Sequence, residues 1–175
     1  PDPRYFILFL HDNRRVATQL PGLLSRQLEL GRQSRRWIQE EMIPGDWVAV
    51  VRYDEKLHIH SDFSRDRSAL DEALKQASAS RPGPESWPSR ISNVDGEESA
   101  PSLLTRLPKG KELRDASKTI YAALELIADA SEGIVGRKNL LLFSTGFGNI
   151  NSLGQYEPDR RYFGPMIDTL NNHNV

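Results

Sequence analysis

Cysteine is absent from the 175 residues. That removes disulfides, thiolate metal sites and a cysteine nucleophile from consideration. Long apolar runs are absent as well. The longest, Tyr5–Leu10 and the interrupted Ile134–Phe143, are strand-sized and far short of the roughly 18 residues that span a bilayer, so no membrane insertion is expected. Charge of one sign is missing too: the formal net charge is −1. A surface built to neutralise phosphates carries a basic excess, so nucleic acid is not an expected partner. Gly146-Phe147-Gly148 looks superficially like a phosphate loop, but the Lys-Ser/Thr of the Walker pattern does not follow it. A tight turn that needs small residues explains it better.

What is present reads as a globular chain, with 38% hydrophobic and 27% charged residues, long enough for one domain over 1–175 with a real core. Tyr5–Leu10 is a continuous apolar run of the kind found in a strand buried on both faces, and it ends at the polar His11-Asp12-Asn13. After Pro21-Gly22, Leu24, Leu28, Trp37 and Ile38 predict a helix with an apolar stripe. The basic cluster Arg32, Arg35 and Arg36 then forms its solvated face. Pro44-Gly45-Asp46 breaks the chain before a second buried strand, Trp47–Tyr53. The short turn at Asp54-Glu55 makes the alternating segment Lys56–Asp62 an antiparallel, half-exposed edge strand. Ser64 or Asp66 caps the next helix, which carries Leu70, Ala73, Leu74 and Ala77.

Residues 80–110, punctuated by five prolines, read as a long insertion loop with a helical turn at Ser102–Leu107. Ala116, Ile120, Ala123, Leu124 and Ile127 then share one helical face that Gly133 and Gly136 terminate. Lys138–Phe143 is another buried strand, and a last helix runs from about Asp159 to Asn171. This alternation predicts an α/β fold: a three-layer, doubly wound, mainly parallel sheet with one antiparallel edge strand. Ligands of such sheets sit at the carboxyl edge near the switch in strand order, which here carries His11–Arg14, the start of the Asp115 helix and Ser144–Asn149. The chain starts at Pro1 rather than an initiator Met, and stops at Asn174-Val175 just as an apolar segment begins. The expectation is a piece of a longer polypeptide, cut before the domain's last strands, with an uncovered sheet edge open to self-association.

Arg4–Asp12, Ile43–Val51, Asp62–Leu70 and Gly136–Ser144, in that order, resemble von Willebrand factor A domains, and within them a bacterial group. The resemblance implies a Rossmann-like domain that binds other proteins, in adhesion or as a scaffold, and an exported bacterial protein, periplasmic or extracellular. It also implies a metal-ion-dependent adhesion site, in which an Asp-x-Ser-x-Ser motif, a loop Thr and a later Asp hold Mg²⁺ through oxygen. Asp12 matches the first Asp, but Arg14 and Val16 stand at the two Ser positions, and Thr145 stands where the later Asp belongs. The loop Thr is Thr119, unless Lys118 takes its place. An arginine's permanent charge opposes a dication.

The expected function is therefore non-enzymatic protein–protein interaction without a tightly bound metal or other cofactor, through Asp12, Asn13, Arg14, Thr119, Thr145 and Trp87. The alternative is a weak Mg²⁺ site on Asp12, helped by Asn13, Thr119 and Thr145. Asp12 could serve as that ligand or pair with Arg14 or Arg15. Trp87 could be a binding anchor or a pin for its loop. His58 and His60 share a strand face at a spacing that can chelate zinc, although a third ligand is not evident; such a pair on an edge strand is expected to be solvated. An enzyme built on His11 and Asp12 lacks a nucleophile nearby in the sequence.

Overall fold

The structure is a computed structural model that describes residues 2–13, 22–81 and 100–175. Arg14, Arg15, Val16 and Trp87, singled out above, lie outside the described residues. Four strands form the main sheet: β1 (Tyr5–His11), β2 (Trp47–Tyr53), β3 (Leu57–Ser64) and β4 (Lys138–Phe143), in the order β3-β2-β1-β4. β1 is parallel to both β2 and β4, pairing Tyr5 with Trp47 and with Lys138. β3 runs antiparallel to β2, as the short turn between them requires.

Side chains of successive residues leave a strand on opposite faces, and the core divides accordingly. Ile7, Phe9, Ala49 and Val51 pack with Ile120, Ala123, Leu124 and Ile127 of the helix α4 (Ile120–Ala130) and with Met166 of α5 (Arg160–Asn172). On the other face, Leu8, Leu10, Val48 and Val50 pack with Ile38 of α1 (Leu23–Glu40) and with Leu70, Ala73, Leu74 and Ala77 of α2 (Arg67–Ser78). The result is three layers, a mainly parallel sheet between helices, with one antiparallel edge strand. Among the described residues, no helix is long and apolar enough to cross a membrane.

Local chemistry fixes the joints. Asp66, rather than Ser64, caps α2 and accepts from the backbone N–H groups of Ser68 and Ala69 at 2.9 and 3.2 Å. The turn before β2 is held by Asp46, which takes both Nε and Nη2 of Arg4 at 2.7 Å and the Ile43 N–H at 2.9 Å. Within the 80–110 segment, Leu103 and Leu107 are buried. Asp62 of β3 anchors this stretch, accepting from the Leu103 N–H at 2.9 Å and from the Ser102 hydroxyl. A two-stranded hairpin of β5 (Asn149–Ile150) and β6 (Tyr156–Glu157) follows β4.

Three expectations fail for identifiable reasons. Leu24 and Leu28 do not face the sheet; they are 43% and 49% exposed, while Leu23, Gln27, Gly31, Ser34 and Ile38 form the buried stripe of α1. The helix approaches its neighbour closely at the middle of that stripe: a Cβ on Gly31 would lie 2.9 Å from the Ser78 Cβ, so a larger side chain does not fit at position 31. The helix through Ala116 is broken into α3 (Gly110–Ala116) and α4, leaving Ala116 exposed. Ser117, fully buried between them, donates to the Leu113 carbonyl at 2.7 Å and accepts from the Leu57 N–H at 3.2 Å. The alternation of β3 fails at His60, which is buried along with the inward-facing Leu57, Ile59 and Phe63.

Candidate carboxyl-edge site

The chain leaves β1 through α1 to β2 on one side and returns after α4 to β4 on the other side of β1. The switch point of the sheet is therefore the crevice at the carboxyl ends of β1 and β4. Asn13 and Thr145 meet there: the Asn13 amide Nδ2 donates to Thr145 Oγ1 at 3.0 Å and to the Gly146 carbonyl at 2.9 Å. The Asn13 backbone N–H donates to Gln27 Oε1 of α1 at 3.2 Å, which ties the first turn of that helix to the crevice.

Asp12 turns the other way. Its Oδ2 lies 3.5 Å from Nη1 of Arg52 and accepts a hydrogen bond from the Ser80 hydroxyl, and its side chain is 6% exposed. Arg52, 2% exposed, is the centre of a cluster on the α1–α2 side of the sheet. It donates through Nη1 to Asp54 as well, through Nε to His60 Nε2 at 3.3 Å, and through Nη2 to the Arg81 carbonyl at 3.4 Å. His58 Nε2 completes the cluster with Asp54 Oδ1 at 2.7 Å.

His58 and His60 are thus not a solvated pair. Each is committed to this ion-pair network, with ring centroids 6.4 Å apart. Burial, reinforced by the neighbouring Arg52 charge, lowers His60 to about 4. Burial raises the Asp54 carboxyl, but the His58 hydrogen bond and the Arg52 charge outweigh it and hold Asp54 below its ordinary value.

Thr119 is placed apart from these residues. It is exposed and is the N-cap of α4, its hydroxyl accepting from the Ala122 N–H at 3.1 Å. Among the described residues no hydrogen bond joins it to Asp12, Asn13 or Thr145.

The fold does bring a serine to His11. His11 Nδ1 and Ser144 Oγ are 2.8 Å apart, although 133 positions separate them in the chain. Burial lowers His11 to about 4, against the pull of Asp12. Ser144 Oγ also accepts from the Gly146 N–H at 3.0 Å, which shapes the turn. The glycines of that turn are required by contact: at φ +122°, Gly146 lies so close to Tyr156 that a Cβ would sit 2.4 Å from its ring.

Sequence reasoning missed Arg52, Asp54, Ser80 and Gln27, and it placed Ser144 at the carboxyl edge without pairing it with His11. Only Arg52 left a signal: a charge written into an otherwise apolar strand must find acceptors when that strand is buried.

The fold and site together define a doubly wound α/β domain with its crevice at the carboxyl edge. No protein-family model and no curated protein matches the chain. Among solved structures, two of the type V pili tip protein Mfa5 from Porphyromonas gingivalis are similar in part. One holds three N-terminal domains of that protein, at 19% identity, a TM-score of 0.34 and coverage of 46% of this chain and 14% of that one. The other is its vWF domain, at 19% identity, a TM-score of 0.31 and coverage of 46% and 27%. The matched region spans less than a third of either of those chains. Likeness at such scores decides neither family nor function.

Proposed function

We propose that this chain is a variant von Willebrand factor A domain that binds another protein through its carboxyl edge, without metal and without catalysis. The observation that carries this reading is the Arg52 guanidinium on Asp12. In the family's metal site that first Asp would face a dication; here its carboxylate faces a buried permanent cation and the Ser80 hydroxyl. The remaining donors fit Mg²⁺ poorly. Thr145 Oγ1 already accepts from Asn13, and the Thr119 hydroxyl is engaged as a helix cap. Hard cations need several oxygens and benefit from charge, and among the described residues no three His, Asp or Glu side chains converge where they could hold a metal.

Catalysis by the His11–Ser144 pair is disfavoured on similar grounds. An imidazole with a pKa of about 4 is a weak base at neutral pH, whereas efficient general bases titrate near the working pH. Among the described residues no carboxylate hydrogen-bonds the His11 ring. Protein recognition is supported by Leu24 and Leu28, exposed one helical turn apart on the α1 segment that Gln27 ties to Asn13. Apolar side chains grouped beside a polar crevice suit a partner surface. An exported, bacterial setting is what the family resemblance adds.

Calorimetric titration with Mg²⁺ or Mn²⁺ tests the metal-free mode. No saturable heat is expected at millimolar metal, and partner capture is expected to survive EDTA but not Leu24→Lys with Leu28→Lys. A saturable heat that Asp12→Ala abolishes would establish the weak Mg²⁺ alternative instead.

A further inference from the structure

At the opposite end of the sheet, a cleft of about 700 Å³ opens between the first residues of β1 and β2 and the chain that enters β4. Strands of seven residues separate it from Asn13 and Thr145 by roughly 20 Å, so it stands independently of the carboxyl-edge reading. Tyr5, Trp47 and Ile134 line it, and Arg65 and Arg106 reach it from two different segments.

The arginines differ in how they are satisfied. Arg106 Nη1 pairs with Glu132 Oε2 at 2.5 Å, and its guanidinium lies so near the Gly133 backbone that a Cβ there would meet Nε at 3.2 Å. Arg65 is exposed and lies over the Trp47 ring, 4.2 Å from its centroid. No carboxylate among the described residues pairs with it. A guanidinium held over a ring, with no carboxylate partner among the described residues, has N–H groups left for a ligand, in the fork geometry that matches a carboxylate. The stack also limits the motion of a long side chain before any ligand arrives, which lowers the cost of ordering it.

We infer that this cleft is a second binding site, and that it takes an acidic peptide segment of a protein partner. A Glu or Asp carboxylate sits on Arg65 and the adjoining apolar side chain lies against Tyr5 and Ile134. The volume falls within the range of ligand sites. With the apolar Tyr5 and Ile134 beside Arg65 in a cleft of about 700 Å³, the site suits a short stretch of chain better than a single small anion.

The test is NMR of the whole chain, following the Trp47 indole N–H and the Arg65 Nε–H. Three probes are titrated: acetyl-Glu-Leu-Glu-amide, its neutral counterpart acetyl-Gln-Leu-Gln-amide, and sodium propionate. The acidic peptide is expected to shift both signals saturably, and Arg65→Gln to weaken it roughly tenfold while leaving the dispersed spectrum of the fold intact. Absent shifts, or an equal response to the neutral peptide, would overturn the proposal. Propionate binding as tightly as the peptide would reduce the site to a carboxylate pocket and overturn the peptide assignment. Shifts centred on Asn13 and Thr145 instead would move the binding to the other edge and also overturn it.

Discussion

Burial, reinforced at His60 by the Arg52 guanidinium, sets the acid behaviour of two imidazoles. His60 Nε2 accepts from the Arg52 Nε–H, so a proton on that nitrogen would break the bond and place a second positive charge against a guanidinium that is 2% exposed. His11 is buried against Ser144 and Phe147, its ring 6.3 Å from that of Phe147. Both imidazoles have an ordinary pKa of 6.5 and a folded value of about 4. Between those values the unfolded chain binds more protons than the folded one, so stability is full above about pH 6.5 and is lost as the pH falls toward 4. Asp46, Asp54 and Asp71 are held below their ordinary value of 3.8, so their contribution is lost only at still lower pH. Urea unfolding is expected to show a loss on the order of 2 kcal/mol between pH 6 and pH 5, with each histidine contributing up to ~1.4 kcal/mol per pH unit. His60→Gln, which retains an acceptor for Arg52, is expected to remove about half of that slope. Stability that stays level from pH 7 to pH 5 would mean that neither imidazole is held neutral by the fold.

Among the elements, the α1–α2 contact depends most on one residue. Gly31 lets the two helices approach until Ser78 fills the space where a side chain would otherwise stand, and Ser34 beside it turns its hydroxyl back to the Gly31 carbonyl at 2.9 Å. Gly31→Val is expected to destabilise the fold by about 2 kcal/mol through overpacking, despite the better helix propensity of any other non-proline residue. Ser78→Gly should recover most of that loss in thermal or urea unfolding. Additive losses in the double variant would show that the helices are not limited by this contact.

The same residue explains why the helix face was illegible beforehand. Hydrophobic periodicity places Leu24 and Leu28 inward, yet the closest packing is made by small and polar residues whose value lies in their size. The strands were easier to read. Tyr5–Leu10 and Trp47–Tyr53 are buried on both faces, so their apolar runs announce them, and the turn at Asp54-Glu55 is too short for anything but an antiparallel return. The site was harder because its contacts join positions far apart in the chain. Asp12 meets Ser80 and Arg52, and His11 meets Ser144; no local spacing records such pairs. Asn13 and Thr145 were within reach because both follow strands whose carboxyl ends must share an edge.

For the whole molecule, the order β3-β2-β1-β4 leaves β4 as the outer parallel strand, paired among the described residues only with β1. An unpaired parallel edge carries a row of N–H and C=O groups, and proteins normally cover, charge or shorten such edges. The edge here is six residues long with Leu142 38% exposed, and the apolar Phe163 and Ile167 of α5 are also partly open, at 37% and 36%. Charge does not guard the middle of β4, since Lys138 is buried and donates to the Ile134 carbonyl at 3.2 Å. The 175-residue chain is therefore expected to self-associate through β4 as its concentration rises. Sedimentation velocity should show a dimer that Leu142→Lys weakens by roughly tenfold or more, because a charge on an edge strand opposes pairing. That substitution lies on a partly exposed side chain, so the thermal midpoint of the monomer should hardly move. A monodisperse monomer at high concentration, or a dimer indifferent to Leu142→Lys, would place any association elsewhere on the surface.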